Sequence, residues 1–446
     1  MERKYANAVA ELRKRLGELL PKNYDTDFNL LRWLINAEKL TGQKTNNVDL
    51  AEKQLRNHLR LRAAMKLDEP GAVPPMAENP LQKDRLIPIG STPLMPGTNK
   101  FLWWTDYKTL DMQGLMKSVK SSDMLLYHFW LYEHLLKLVN DQERKTGQMS
   151  GHVCVVDMND YDFNPLTLLF FNSGQMTHYI NVFHYEHYPQ LVYPIYAINV
   201  PKWLYLAYKM IKVLLPKDIN DRVRILDHNF RHTMRNEIDP KELPISLGGD
   251  MPDDHLKTIP ARKLSPDEYY LAHEHEEDPP LDHCLHLQVN ARRRRFLPVE
   301  CHSADMVIEY FFTSDAELNF AVFFDPAIVE PHKTDQNDRN RHSIFSFGAW
   351  KQNQHHSPNE IDTDQMVMIK PPFCVGARYA PERGVVPCDR PGTYYFVFCN
   401  KHCWMTRRNV YLHLNLVENP EEKNNNDNSF KQVNLKSIAA RSFSTN

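Results

Sequence analysis

The sequence of 446 residues predicts a multidomain protein in which N-terminal helices, an α/β domain and an all-β domain follow one another. Over the first seventy residues, apolar side chains recur at helical spacing. From about residue 81, strand-like and helix-like segments alternate, which is the pattern of βαβ units. Beyond about residue 282, β-branched and aromatic runs are separated by proline and glycine. We therefore expect N-terminal helices in residues 1–75, an α/β domain in 76–250, a linker in 251–281, an all-β domain in 282–418 and a disordered tail in 419–446.

The N-terminal helices are predicted from three apolar stripes separated by polar breaks. Leu12 belongs to the first stripe, Leu31 to the second and Leu55 to the third. Thr26 or Asp27 stands directly before the second stripe, where a side-chain oxygen can accept from a free backbone N–H of the first helical turn. The second helix is therefore expected to begin here.

The α/β domain is predicted from strands that alternate with helices. His152–Asp157 is a continuous apolar run, as expected of a strand that is covered on both faces. Strands are also expected at Ile195–Val200 and Val223–Leu226, with a helix at Trp203–Leu215 between them. The segment from Ser122 to about Asn140 is apolar nearly all round, which predicts a helix buried on several sides. This order of elements predicts a largely parallel sheet.

Composition and charge exclude several classes of protein. The formal net charge is −2, so no overall field attracts nucleic acid. Seven cysteines are scattered singly, which indicates a reducing compartment. The N-terminus lacks the apolar stretch of a signal peptide. The longest apolar run, Trp203–Leu215, is too short to span a bilayer and contains Lys209 and Lys212. We expect a cytoplasmic protein that reaches membranes only peripherally.

Motifs for catalysis and metal binding are missing from the sequence. It contains no Walker loop, no GxGxxG and no GxSxG. Cys399, His402 and Cys403 lie close together but lack the paired spacing of a zinc site. We therefore expect no catalytic residue, no metal and no cofactor.

The helix at Trp203–Leu215 has two distinct faces. One face is apolar, and the other carries Tyr205, Tyr208, Lys209 and Lys212. Such a helix can be a lid that separates an apolar cavity from a bilayer surface. It can equally be a core helix with a solvated edge, and the pattern alone favours this second interpretation. In both cases the apolar face is expected to point inward.

The order of motifs around this helix resembles the CRAL-TRIO lipid-binding domain. The resemblance extends from about residue 26 to residue 250. The matching segments are Asp27–Ala37, Val155–Asp157, Tyr188-Pro189, Ile198–Pro201, the helix Trp203–Leu215, Arg222–Leu226, and Leu243-Pro244 with Gly248-Gly249. The resemblance implies an apolar pocket for one membrane lipid under a mobile gate helix.

The resemblance also implies two sets of site residues. The lipid-binding set is Val155, Phe170, Phe171, Tyr179, Phe183, Ile198, Trp203, Leu206, Ala207, Met210, Ile211 and Leu214. For these residues ordinary core packing is the alternative, and for the four aromatic residues before the gate helix it is the favoured one. The set expected to meet headgroups or a membrane is Gln190, Lys209, Lys212, Lys217, Arg222, Arg224 and His232, with a solvated surface as the alternative. Gln190 and His232 stand where phosphatidylinositol-binding relatives carry an acid and a lysine, so the resemblance does not name the lipid.

The C-terminal region resembles a GOLD domain, a β-sandwich of Golgi-associated proteins. The matching parts are Leu287–Phe324 and Pro391–Val417. The pairing of the two domains is similar to that of supernatant protein factor and its relatives. The basic run Arg292–Arg295 departs from the usual GOLD pattern, and either a lipid or partner contact or a solvated loop fits it.

Two functions follow from these resemblances. The protein either carries or presents a lipid between membranes, or it is an adaptor for signalling or Golgi trafficking whose GOLD domain binds a protein partner when lipid is present. Vesicle-to-vesicle transfer would be fast for the first and slow for the second. A hydrolase with an unrecognised triad has little support in the sequence.

Overall fold

The computed structural model describes residues 3–42, 47–164, 182–212, 217–326 and 361–418. The chain divides into two compact units. The first comprises residues 1–119 and 123–272, and the second comprises residues 120–122 and 273–446. The predicted N-terminal helices and α/β domain thus belong to one unit. The predicted tail, residues 419–446, lies outside the described residues.

Three helices open the first unit: α1 (Arg3–Leu16), α2 (Asp27–Thr41) and α3 (Val48–Ala64). Helix α2 is capped as predicted, because the Thr26 side chain accepts from the Asn29 N–H at 3.1 Å. The helix ends at Gly42, whose φ of 67° is the left-handed conformation that glycine adopts readily. Leu12 and Leu55 are fully buried and Leu31 is buried as well, so the predicted apolar stripes form the packing faces of this layer.

A five-stranded sheet follows, with its strands in the order β2 (Leu94–Met95), β3 (Lys100–Asp106), β4 (His152–Asp157), β5 (Val192–Ile198) and β6 (Val223–Ile225). Strands β3 to β6 are parallel and only β2 is antiparallel, so the prediction of a largely parallel sheet is confirmed. The elements in chain order are α4 (Pro80–Lys83), β1 (Ile89–Gly90), β2 (Leu94–Met95), β3 (Lys100–Asp106), α5 (Met112–Ser118), α6 (Ser121–Thr146), β4 (His152–Asp157), a π-helical turn (Val182–His187), β5 (Val192–Ile198), α7 (Lys202–Lys212), α8 (Lys217–Arg222), β6 (Val223–Ile225) and α9 (Phe230–Glu237).

The two faces of this sheet are covered differently. On one face, side chains of β3, β4 and β5 form a core with Phe230 and Met234 of α9. On the other face, α6 packs across the amino-terminal half of the strands. There the His152 ring donates from Nε2 to the Leu135 carbonyl at 3.0 Å, and Trp103 meets Tyr132 edge to face. Helix α6 is buried on several sides, as its composition predicts.

Buried charges attach the N-terminal helices to the sheet. Arg32 of α2 forms an ion pair with Glu143 of α6 at 2.5 Å, and both side chains are 3% exposed. Arg32 also donates to the Ser150 carbonyl, and the Ser150 N–H donates to Glu143. On α3, Arg62 pairs with Glu133, which also accepts from the Tyr188 hydroxyl at 2.7 Å. Arg32 and Tyr188, which belong to the motifs of the family resemblance, therefore have structural roles within the unit.

The segment expected to be a linker, residues 251–281, is largely packed on the first unit. Strand β7 (Thr258–Ile259) pairs with β1, and the Arg262 N–H donates to the Arg85 carbonyl at 2.7 Å. Leu264 is buried in a cluster with Leu86 and Leu115. The first unit ends at residue 272, so most of this segment belongs to it.

The second unit contains eight described strands in two antiparallel sheets, as its composition predicts. They are β8 (Leu285–Val289), β9 (Arg294–Cys301), β10 (Met306–Ser314), β11 (Leu318–Asp325), β12 (Val367–Val375), β13 (Glu382–Cys388), β14 (Gly392–Cys399) and β15 (Arg408–Glu418). The sheet orders are β13-β10-β15-β8 and β12-β11-β14-β9. Residues of both sheets, among them Ile308, Phe320 and Phe396, form one core between them.

Candidate lipid site and its relatives

Helix α7 exposes its apolar face. Trp203 is 50% exposed, Leu206 59% and Met210 72%, whereas Tyr208 is only 8% exposed. The sequence predicted the opposite orientation, with these apolar residues inside and Tyr208 outside. The buried tyrosine explains the difference, because its hydroxyl donates to the Val223 carbonyl of β6 at 3.4 Å and its ring anchors the helix on that side.

Helix α7 also carries exposed positive charge. Lys209 and Lys212 are exposed, and the Lys212 ammonium lies 5.9 Å from the centre of the Tyr208 ring. The same helix therefore exposes large apolar side chains and lysines, which is the composition of helices that lie in a membrane interface. Some predicted site residues lie outside the described part of the chain, namely Phe170, Phe171, Tyr179 and Leu214. The same holds for the side chains of Ala207, Ile211 and Lys217, although these three residues belong to described helices.

Two predicted pocket residues lie on the sheet face that α9 covers. Val155 is fully buried and Ile198 is 1% exposed, and both pack with Phe230 and Met234. A strand alternates its side chains between the two faces, so their immediate neighbours point the other way. Val155 and Ile198 therefore belong to the core, which is the alternative that the sequence left open.

The opposite face carries the apolar side chains that the core does not use. Register places Trp103, Cys154 and Ile195 in one row across the sheet, and Val156 with Ala197 in the next. Trp103, Val156, Ile195 and Ala197 are all only half-buried. These four residues, which we call the open face, were not among the predicted site residues. A shift of one residue from the predicted Val155 and Ile198 gives Val156 and Ala197. Both faces of these strands are apolar, and periodicity alone does not separate them.

Phe183 lies in an aromatic cluster beside α6. Its ring stacks on Tyr132 with a centroid distance of 4.7 Å and contacts Phe129 at 4.9 Å. Tyr132 also contacts Trp103 of the open face. At 3% exposure, Phe183 is part of the wall that supports the open face.

A chain of aromatic rings joins the carboxyl end of the sheet to α7. Tyr107 follows β3 and contacts Tyr161, Tyr161 contacts Phe163 at 4.8 Å, and Phe163 meets Trp203 edge to face at 6.2 Å. Trp203 is therefore held from one side while half of its surface stays exposed. Phe163 was not among the predicted site residues, because a lone aromatic residue in a loop carries no periodic signal.

The predicted headgroup residues do not form one site. Gln190 accepts from the Lys39 ammonium at 2.8 Å, before β5. Arg224 pairs with Glu237, and His232 is exposed on α9, which covers the other face of the sheet. Arg222 is fully buried rather than at the surface, with its guanidinium 4.4 Å from the Tyr185 ring. These positions separate the set, and only Lys209 and Lys212 share an exposed helix with the apolar residues.

Buried polar groups lie behind the aromatic cluster. The Tyr132 hydroxyl and the His184 Nε2 atom are 3.2 Å apart. Burial lowers the pKa of His184 to about 3, and the positive charge of Arg222 acts in the same direction. The imidazole is therefore neutral at physiological pH and serves as a hydrogen-bonding group of the interior.

Comparison with known proteins decides the class of this domain. The model of the CRAL/TRIO domain matches residues 99–249, which contain the sheet, the open face and α7. Residues 99–249 form a CRAL-TRIO domain. CRAL-TRIO domains bind hydrophobic lipids, so this part of the chain comes from a lipid-binding family. Residues 1–70 match a second model, described as a domain of unknown function (DUF8435).

Two proteins from the nematode Caenorhabditis elegans that are similar to this chain are also named for the CRAL-TRIO domain. The chain is 20% identical to the CRAL-TRIO domain-containing protein F28H7.8, over 89% of this chain and 87% of that protein. It is 24% identical to the CRAL-TRIO domain-containing protein C34C12.6, over 72% and 82% of the two chains. Among solved structures, it is similar to the crystal structure of Sfh5 with a TM-score of 0.36 and 16% identity, covering 50% of this chain and 81% of that one.

Two kinds of feature are absent from the described residues. Within the described ranges, no helix is both long and apolar enough to cross a membrane. Among the same residues, no three or more histidine, cysteine or acidic side chains are grouped so that they could hold a metal ion.

Proposed function

We propose that the protein binds a single hydrophobic lipid against the open face of the CRAL-TRIO sheet and exchanges it with membranes through α7. The observation that carries this proposal is the exposure of Trp203, Leu206 and Met210 on a helix that also bears two exposed lysines. Side chains of this size are normally buried, and their joint exposure at a domain surface marks an interaction site.

The energetics of exchange support a carrier. An acyl chain in water costs about 0.8 kcal/mol per CH₂ group, so an apolar cavity is needed to carry it. Movement of the chain from a bilayer into that cavity replaces one apolar surrounding by another and is nearly neutral. A helix whose apolar face enters the bilayer while its lysines stay at the headgroups can open such a cavity where the lipid is supplied.

The variant Met210→Asp tests the role of α7. We expect it to slow transfer of a fluorescent lipid between vesicles at least tenfold, because an aspartate at the centre of the apolar face resists entry into hydrocarbon at a cost of about 2–3 kcal/mol. Leu271→Asp is the matched control, since Leu271 is 67% exposed in the same unit but lies outside α7. Equal transfer rates for Met210→Asp and the wild type would refute the role of α7.

The ligand itself is identified by mass spectrometry of lipids extracted from the purified protein. A carrier yields one lipid class in about equimolar amount. If no lipid co-purifies and none binds from vesicles of mixed composition, the proposal of a lipid pocket is wrong.

An adaptor function is the second candidate, and the size of the second unit favours it. The two antiparallel sheets form a domain with its own core that lipid carriage does not require. Its strand pattern resembles a GOLD domain, which would serve a protein partner. Rapid vesicle transfer by the full chain would favour the carrier, whereas binding of lipid without measurable transfer would favour the adaptor.

A further inference from the structure

One end of the β-domain exposes two large apolar side chains. Trp404 is 72% exposed and Met405 91% exposed, both in the connection between β14 and β15. The turn between β8 and β9 lies at the same end, because Arg294 pairs with Cys399 and Val289 pairs with Arg408. Two neighbouring connections thus form this end of the domain.

These two connections are tied together by the side chain of Asn400. Its amide donates to the Val289 carbonyl at 3.1 Å and to the Thr406 carbonyl at 2.9 Å, and the residue is only 3% exposed. Its backbone N–H donates to the Arg293 carbonyl, and its carbonyl accepts from the Arg292 N–H. The exposure of Trp404 is therefore the result of a fixed loop conformation, in which the ring is held away from the core.

The same end is strongly basic. Residues 290–295 and 400–408 together contain seven arginine or lysine residues and no acidic residue. The guanidinium of Arg292 lies 3.7 Å from the centre of the Trp404 ring, a cation–π contact. The adjacent connection between β10 and β11 carries two acids, Asp315 and Glu317. Asp315 is engaged by Asn409, whose backbone N–H and side-chain amide both donate to it. This charge is local, since the whole chain has a formal net charge of −2.

We propose that this end of the β-domain docks on the surface of an anionic lipid bilayer. We call it the basic tip and define it by six exposed residues: Arg292, Arg293, Lys401, Trp404, Met405 and Arg407. A tryptophan ring settles at the boundary of headgroups and acyl chains, a methionine enters the hydrocarbon, and guanidinium groups pair with phosphates. The apolar side chains protrude from the connections and do not line a groove, so a deformable bilayer accommodates them without a shaped partner surface. The proposal does not depend on the lipid pocket of the first unit.

Co-sedimentation of the full chain with vesicles tests the basic tip. We expect binding to vesicles that contain phosphatidylserine and far weaker binding to vesicles of phosphatidylcholine alone. The double variant Arg292→Ala/Arg293→Ala should lower the affinity roughly twenty-five-fold, because each basic residue near an anionic surface contributes about fivefold. Trp404→Ala/Met405→Ala should lower it on the order of tenfold. Higher salt should weaken the wild type more than the arginine variant.

Matched variants separate this contact from the one proposed for α7. Arg390→Ala removes an exposed arginine just before β14, at the end of that strand away from Cys399, and should bind like the wild type. All tip variants are also compared in the background of Met210→Asp, where α7 no longer contributes. A failure of the lipid-transfer proposal would leave the vesicle binding of the tip intact.

Two results would overturn the basic tip. One is equal sedimentation of the tip variants and the wild type with phosphatidylserine vesicles, with unchanged melting temperatures. The other is loss of binding to poly-glutamate in the tip variants without any loss of vesicle binding, which would assign the surface to an acidic protein.

Discussion

Ala197 and Ile198 are neighbours in β5 but serve opposite faces of the sheet. Ile198 is buried under α9, whereas Ala197 is half-buried on the open face. The fully buried Ile198 contributes to stability through packing, and the small side chain of Ala197 leaves space. At the scale of single residues, side chains that alternate along the strand therefore have different roles. Those on one face stabilise the domain, and those on the other face would contact the proposed lipid.

Substitutions at these two positions should have different effects. Ile198→Ala should destabilise the first unit by about 2–5 kcal/mol because it leaves a cavity in the core. Ala197→Phe should leave stability within about 1–3 kcal/mol of the wild type but should reduce bound lipid several-fold, because the ring occupies the open face. Urea denaturation measures the first effect, and lipid extraction with mass spectrometry measures the second. Undiminished lipid in Ala197→Phe would remove the open face from the proposed site.

At the scale of elements, buried ion pairs join the N-terminal helices to the sheet. The pair of Arg32 and Glu143 has lost nearly all contact with solvent, so each charge depends on the other. Burial of the two charges costs free energy of hydration, and hydrogen bonds to Ser150 and Asn29 offset part of that cost. The motif Asp27–Ala37, which belongs to the family resemblance, thus has a structural role at Arg32.

Removal of one partner should be worse than removal of both. Arg32→Met should lower the free energy of unfolding by about 3–5 kcal/mol, because Glu143 stays buried without its cation. The double variant Arg32→Met/Glu143→Leu should recover much of this loss. The comparison requires a double-mutant cycle measured by urea denaturation. Arg144→Met is the control, since Arg144 is an exposed arginine of α6, the helix that carries Glu143. A double variant as unstable as Arg32→Met would show that packing, rather than charge, governs this junction.

At the scale of the whole molecule, neutral histidines are concentrated in the interior of the first unit. Burial lowers the pKa of His152 to about 4 and that of His184 to about 3. Burial, together with the charges of Arg62 and His187, also holds the pKa of His58 well below its ordinary value, and its Nδ1 atom lies 3.2 Å from that of His187. Protonation of these histidines in acid therefore affects both the contact of the N-terminal helices with the rest of the unit and the packing of the sheet.

The stability of this unit should fall in mild acid. The pKa of His152 in the folded chain is below its ordinary value of 6.5, so the unfolded chain takes up the proton first. The contribution of neutral His152 to the free energy of unfolding is complete above pH 6.5. It is lost as the pH falls from 6.5 towards 4, by about 1.4 kcal/mol per pH unit. His152→Gln should reduce this slope, whereas His255→Gln, at an exposed position, should not. Urea denaturation followed by the helical circular dichroism signal measures both slopes, and equal slopes for His152→Gln and wild type would exclude His152 as a source.

The sequence by itself determined the elements and the class of the first unit. The cap at Thr26, the parallel strands and the CRAL-TRIO motifs are local or ordered along the chain, so they can be read without coordinates. The β-rich character of the second unit follows from composition in the same way. Pairing across the chain is different, because no local pattern indicated that residues 258–259 would pair with β1.

Only the tertiary structure decided which side of each element meets solvent. Helix α7 is amphipathic in either orientation, and burial of Tyr208 rather than Met210 is set by β6 beneath it. Both faces of β4 and β5 are apolar, so only the position of α9 distinguishes core from open face. Trp404 and Arg292 are more than a hundred positions apart, and the register of four strands brings them into contact. Such choices depend on non-local contacts, whose free energy exists only once the chain has folded.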